Sequence, residues 1–147
     1  SPTGLVAGWL PPRRPSRSVA LLYFPYSDAS DVVSSGARRL RVAAGVTLDP
    51  ARRVIRAGGR ARFTARLAVA VGRGTSVLGM LQVHTGDGWR TVRRLRFRHG
   101  ARTLRPVVRF RPGALRTSYR VRLRVPAQRG LPYARGTSRR VVVRIRR

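Results

Sequence analysis

Apolar runs in this chain are interrupted by arginine at every second position, most clearly in Tyr119-Arg120-Val121-Arg122-Leu123-Arg124-Val125. An extended strand sends successive side chains to opposite faces, so Val121, Leu123 and Val125 fall on one side and Arg120, Arg122 and Arg124 on the other. The same reading puts Arg94, Arg96 and Arg98 outside with Leu95 and Phe97 inside, and Arg144 and Arg146 on the outer side of a third strand. Charge is thus built into the outer faces of sheets and not spread along a basic tail.

The chain has 147 residues, of which 33 are Arg and none Lys, against four acids, for a net charge of +29. With 42% hydrophobic residues it can build a core, provided the guanidinium groups stay solvated, meet anions or lie over apolar surface. Exclusive use of Arg is what a very GC-rich genome produces, which weakens any step from charge to nucleic acid. Cysteine is absent, so disulfides, thiolate metal sites and Cys nucleophiles are excluded. No apolar stretch reaches the roughly 20 residues of a membrane span. A start at Ser1 inside a Pro-rich stretch leads us to expect a fragment whose targeting signals lie elsewhere.

Alternation and Gly, Pro, Asp and Ser punctuation predict strands at Ser18–Phe24, Arg38–Ala44, Val46–Leu48 continuing past Pro50 into Arg53–Arg56, Arg60–Val71, Ser76–Thr85, Trp89–Arg98, Thr103–Arg111, Ser118–Val125 and Ser138–Ile145. An all-β sandwich follows. Trp89, after the turn Gly86-Asp87-Gly88, is expected between the sheets or capping one end, and Tyr119 in the setting of a tyrosine corner. The region Ser18–Val42 echoes Ser118–Ile145: each has a strand ending near Pro25 or Pro126, a loop, and a basic return strand. Residues 1–44 therefore read as the C-terminal remnant of one module and 46–147 as a complete second one. Gly45-Val46-Thr47-Leu48 is too short and too stiff in composition to let modules tumble independently. A half-sandwich bares an apolar edge, so the strands of 1–44 are expected to pair with 46–147 or to be poorly ordered.

Few residues suggest chemistry. His84 and His99 lack enough neighbouring ligands for a transition metal, and no nucleophile elbow surrounds any Ser. Asp28, Asp31 and Asp49 would need several more oxygens to hold calcium and read as turn formers. Gly58-Gly59 and Gly72-Arg73-Gly74 lack the phosphate-loop pattern and read as turns. Leu131-Pro132-Tyr133-Ala134-Arg135-Gly136 resembles a sortase anchor only superficially and reads as a loop. No catalytic, cofactor or metal residues are assigned. The strongest candidates are the arginines at 94, 96, 98, 120, 122, 124, 144 and 146, spaced roughly 6.5–7 Å apart along their strands and able to pair bidentately with phosphates or carboxylates of a polymer.

Several runs carry a family likeness: Val46-Thr47-Leu48, Arg60-Ala61-Arg62-Phe63-Thr64-Ala65-Arg66-Leu67, Leu81-Gln82-Val83, Gly88-Trp89-Arg90-Thr91-Val92, Tyr119-Arg120-Val121-Arg122, and Leu131-Pro132-Tyr133-Ala134 before Gly136-Thr137-Ser138. Residues 46–147 resemble the bacterial immunoglobulin-like β-sandwich modules, also called carboxypeptidase-regulatory-like or fibronectin-like, that occur in tandem in secreted and surface proteins of high-GC Gram-positive bacteria. A departure is His99-Gly100-Ala101-Arg102, where such modules often carry Asp and Gly. The resemblance implies a secreted or cell-surface, non-catalytic spacer or adhesion module without cofactor, its partners being neighbouring modules and anionic cell-wall polymer. The competing expectation is a basic β-domain binding nucleic acid, against which stand the absence of Lys and of a basic disordered arm and the small number of aromatics expected beside the exposed Arg. A carbohydrate-binding module stacking sugars on Trp9, Tyr23, Tyr26 or Tyr133 is a third.

Overall fold

The computed structural model describes residues 15–20, 22–23, 33–34, 36–111 and 118–147. Among the described residues there are strands and no helix. In chain order they are β1 (Arg17–Val19), β2 (Leu22–Tyr23), β3 (Val33–Ser34), β4 (Arg38–Leu40), β5 (Val46–Pro50), β6 (Val54–Arg56) and β7 (Arg60–Leu67). Then follow β8 (Ser76–Thr85), β9 (Gly88–Arg98), β10 (Thr103–Leu104), β11 (Val107–Arg109), β12 (Ser118–Val125), β13 (Gly136–Thr137) and β14 (Val141–Arg146).

From Val46 onward the strands form two sheets. In the first, β7 is central, with β5 antiparallel on one edge and β10 and β11 antiparallel on the other. The second runs β6-β14-β12-β8-β9, with β13 sharing the β14 edge of β12. Alternation does what the sequence demands: Ala61, Phe63, Ala65 and Leu67 of β7 are buried, as are Val121, Leu123 and Val125 of β12, Leu95 and Phe97 of β9, and Val143 of β14. These residues form one core cluster spanning both sheets. Each such side chain contributes about 1.5–3 kcal/mol when fully buried, and this apolar layer is what joins the sheets into a sandwich.

One strand crosses between the layers. Pro50 has no N–H to offer a partner strand, and the Ala51 N–H to Arg62 carbonyl bond, 2.8 Å, is the last that holds this segment to β7. Arg144 N–H then donates to the Arg53 carbonyl at 2.7 Å, and β6 continues parallel to β14 in the opposite sheet. On the other flank Arg93 Nη1 donates to the Val107 carbonyl at 3.0 Å, tying the free edge of β9 to β11.

The predicted strands Ser76–Thr85 and Ser118–Val125 are observed unchanged. Others are interrupted for identifiable reasons. Arg60–Val71 is shortened to β7, which ends at Leu67, although Ala68 N–H still donates to the Gly45 carbonyl opposite it at 2.8 Å. Thr103–Arg111 divides into β10 and β11 at Pro106, whose carbonyl nevertheless accepts from Phe63 N–H at 3.0 Å. Ser138–Ile145 becomes β14 alone, because Ser138–Arg140 bulges away from β12.

The amino-terminal segment is a hairpin, β1 antiparallel to β4 and β2 to β3. Among the described residues its strands pair with each other and not with the ladders of 46–147, where pairing with 46–147 is one of the two expectations. It meets the rest of the chain at a loop: Ser16 N–H donates to the Pro132 carbonyl, 2.7 Å, and Ala43 bridges Ala134 in parallel. Its irregularity matches that of the last hairpin. The register shifts by one residue between the pairs Val19↔Arg38 and Leu22↔Ser34, and by one, in the same sense, between Val121↔Val141 and Arg124↔Thr137.

Gly79 in β8 is a packing requirement. A Cβ there would lie 2.9 Å from Phe97 Cε2 and 3.3 Å from Leu123 Cδ1, and both side chains are fully buried. Gly79→Ala is expected to destabilise the fold by about 1–3 kcal/mol through overpacking, read as a lowered denaturation midpoint with unchanged slope.

Candidate anion-binding face

All eight arginines singled out by alternation belong to strands of the second sheet. Arg94, Arg96, Arg98, Arg120, Arg144 and Arg146 are exposed, Arg122 and Arg124 half-buried. They do not form one unbroken field. β8 runs between β12 and β9, and its Leu78 and Met80 stand in register with Arg96 and Arg94, so uncharged side chains separate two arginine rows. At the far edge Arg146 pairs with Arg56, two like charges side by side, and Arg144 with Val54.

Trp89 is not in the core. β8 and β9 keep register from Ser76↔Arg98 to Leu81↔Arg93, then resume at Gln82↔Thr91, leaving Val92 as an extra, exposed residue. One inserted residue reverses the alternation of everything beyond it. Trp89 and Thr91 therefore move to the face that carries Arg94, and Trp89 pairs with His84. Its ring receives the Arg122 guanidinium at 4.0 Å from the centroid, with Arg140 at 5.8 Å and the His84 ring edge-on at 5.1 Å.

Arg122 is fixed from a second direction. Its Nε donates to Gln82 Oε1 at 3.0 Å, and Gln82 Nε2 donates to Thr91 Oγ1 at 3.2 Å. Gln82 is buried although it faces outward, because these neighbours cover it. Burial, followed by the charges of Arg124 and then Arg140, pushes the Arg122 guanidinium below the usual arginine range. A cation whose folded pKa is depressed costs stability at every pH below that value, and the penalty lifts only as pH rises past it. Arg122 stays charged at any working pH, so the repulsion persists and only added salt screens it.

Alternation also held a signal that the site assignment passed over. Arg60, Arg62 and Arg66 on β7 and Arg109 on β11 are exposed on the outer face of the first sheet, with Arg60 paired to Arg109. Both faces of the sandwich are therefore basic. Asp49, which pairs with Thr64, and Asp87 are the described carboxylate side chains, both exposed; Asp28 and Asp31 lie outside the described residues, as does Trp9. Among the described residues no group of three or more His and Asp could hold a metal ion, and no helix is long and apolar enough to cross a membrane. His99 Nδ1 lies 2.9 Å from the Val71 carbonyl, a contact that anchors a turn. Tyr119 is half-buried with its ring 4.8 Å from that of Phe110.

The chain matches no protein-family model, and no curated protein matches it.

Two expectations follow. Arg122→Ala removes the cation from Trp89 and a donor from Gln82, and should cost about 1–2 kcal/mol. In a Trp9→Phe background, where Trp89 is the single tryptophan, its selectively excited emission should shift to the red. Raising salt from about 0.01 M to about 0.15 M shortens the Debye length from about 30 Å to about 8 Å, and should raise the thermal midpoint by several degrees; a fall would mean that attraction, not repulsion, dominates the surface.

Proposed function

We propose that the chain is a non-catalytic structural or adhesion unit of a secreted or cell-wall-associated multidomain protein from a high-GC bacterium. In this reading residues 46–147 are an immunoglobulin-like module and residues 1–44 the closing hairpin of a similar module before it. The observation that carries the tandem reading is the shared one-residue register shift of the two hairpins. A chance pair of basic hairpins has no reason to slip by the same count and with the extra residue on the same, returning strand. The strand that leaves β7 at Pro50 and joins β14 in parallel in the other sheet supports the immunoglobulin-like assignment.

The junction supports a spacer role. Ala44 is buried, its N–H donates to the Ala134 carbonyl at 3.0 Å, and Ala134 N–H donates to the Val42 carbonyl at 2.8 Å. Ser16 Oγ accepts from Val42 N–H at 2.9 Å. The linking residues are thus hydrogen-bonded to both units, a different regime from a flexible tether. The side-chain hydrogen bonds of the second unit serve architecture: Gln128 engages both backbone groups of Leu78, and the buried Ser138 hydroxyl accepts from Leu123 N–H. Basic outer faces supply contact with anionic polymer.

Retention on immobilised anionic wall polymer and on duplex DNA tests the assignment. At about 0.5 M salt, with the Debye length at roughly 4–5 Å, the polymer should hold the chain better than DNA; preference for DNA would replace this reading by nucleic-acid binding. The junction has its own test. A Cβ on Gly136 would collide with the Ala44 carbonyl oxygen, so Gly136→Ala should speed amide exchange at Ala44 and Ala134 by about 10–100-fold while leaving Leu81 and Leu123 protected.

A further inference from the structure

Where the two units meet there is a cleft of about 840 Å³. Arg39 and Arg41 enter it from the segment that follows β3, and Arg124 and Arg135 from the second unit, with Leu131 and Tyr133 among its apolar and aromatic walls. Four arginines from the two units line one cavity, and no carboxylate lines it among the described residues. The volume is in the range that encloses a small organic ligand, and Arg forks match carboxylate and phosphate geometry.

We infer that this inter-module cleft binds a short anionic segment of a polymer, its carboxylate or phosphate groups carried on a saccharide or polyol backbone and held by arginines of both units. The inference rests on the reading of the chain as a polymer-contacting unit and gives that contact a place. Arg124 links the cleft to the outer face, because it is also a charge neighbour of Arg122, which stacks on Trp89. A polymer longer than the cleft would run from Arg39 and Arg41 past Arg124 toward Arg122 and Arg140. Single-stranded nucleic acid fits less well: it is bound on successive exposed rings, whereas among the described residues Tyr133 is the one aromatic lining the cleft and Arg122 already covers Trp89.

The test compares two double variants of equal charge loss in the full chain: Arg41→Gln with Arg135→Gln in the cleft, and Arg94→Gln with Arg96→Gln on the open face. All four positions are exposed, and amide exchange at Ala44 verifies that the junction is intact in each. Fluorescent oligouronate, polyol-phosphate oligomer and oligothymidylate of matched charge are titrated at about 0.15 M salt. The cleft pair should weaken oligouronate or polyol-phosphate binding at least about tenfold, roughly 1.4 kcal/mol, and the open-face pair less than about threefold; whichever of the two probes binds tighter identifies the source of the oxyanion. Equal losses from the two pairs would overturn the cleft while leaving polymer contact through the faces intact. Failure of the wild-type chain to bind either polymer, or tighter binding of oligothymidylate, would overturn both.

Discussion

Repulsion among guanidinium groups is the constraint that the rest of this molecule answers. Two unit charges about 7 Å apart in water repel by only about 0.6 kcal/mol, less than the roughly 1.5–3 kcal/mol contributed by one buried Val, Leu or Phe. The balance holds only while the charged heads remain in water. A strand with alternating residues satisfies that condition at every step, since each apolar side chain turned inward sets its arginine neighbour outward. β8 improves the balance by placing Leu78 and Met80 between the arginine rows of β9 and β12. Arg122 is where the condition is relaxed: half-buried and flanked by Arg124 and Arg140, it is held by the Trp89 ring and by Gln82.

The same alternation explains which parts of the structure can be read from residues and which cannot. Inner and outer faces of β7, β12 and β14 follow directly, as does the all-β layering, because the period of two is local information. A bulge is not local. Nothing in Gly88-Trp89-Arg90-Thr91-Val92 announces that Val92 will be left over when β9 meets β8, yet that single residue carries Trp89 from the expected core position to the charged face. The bulge at Ser138–Arg140 likewise shortens a strand that looked continuous. Register is decided by the partner, and the partner is distant in sequence.

Polar side chains that complete the ladders were equally hidden. Gln128 fills both hydrogen-bonding groups of Leu78, fifty residues away, at 2.8 and 3.0 Å, extending the edge of β8 beyond the end of β12. Ser138 stands in for a missing backbone acceptor opposite Leu123. Each leaves a buried backbone group satisfied where the strand itself bends away, and an unmet group there would cost about 1–3 kcal/mol. Such roles have no sequence signature beyond a polar residue near a strand end.

The loop Leu131–Gly136 shows how an unpromising segment acquires importance from what lies against it. As sequence it is a turn region with a Pro and a Gly. In the folded chain its backbone receives Ser16 at Pro132 and Ala44 at Ala134, and Gly136 leaves room for the Ala44 carbonyl that any side chain would displace. The same stretch supplies Tyr133 and Arg135 to the cleft. Charge convergence has the same origin: the hydrogen bonds that hold the amino-terminal hairpin to this loop bring Arg39 and Arg41 toward Arg124 and Arg135. Unscreened, that cluster opposes the contact between hairpin and loop, and an anion bound there would strengthen it, so the proposed binding and the stability of this contact are linked in the same direction.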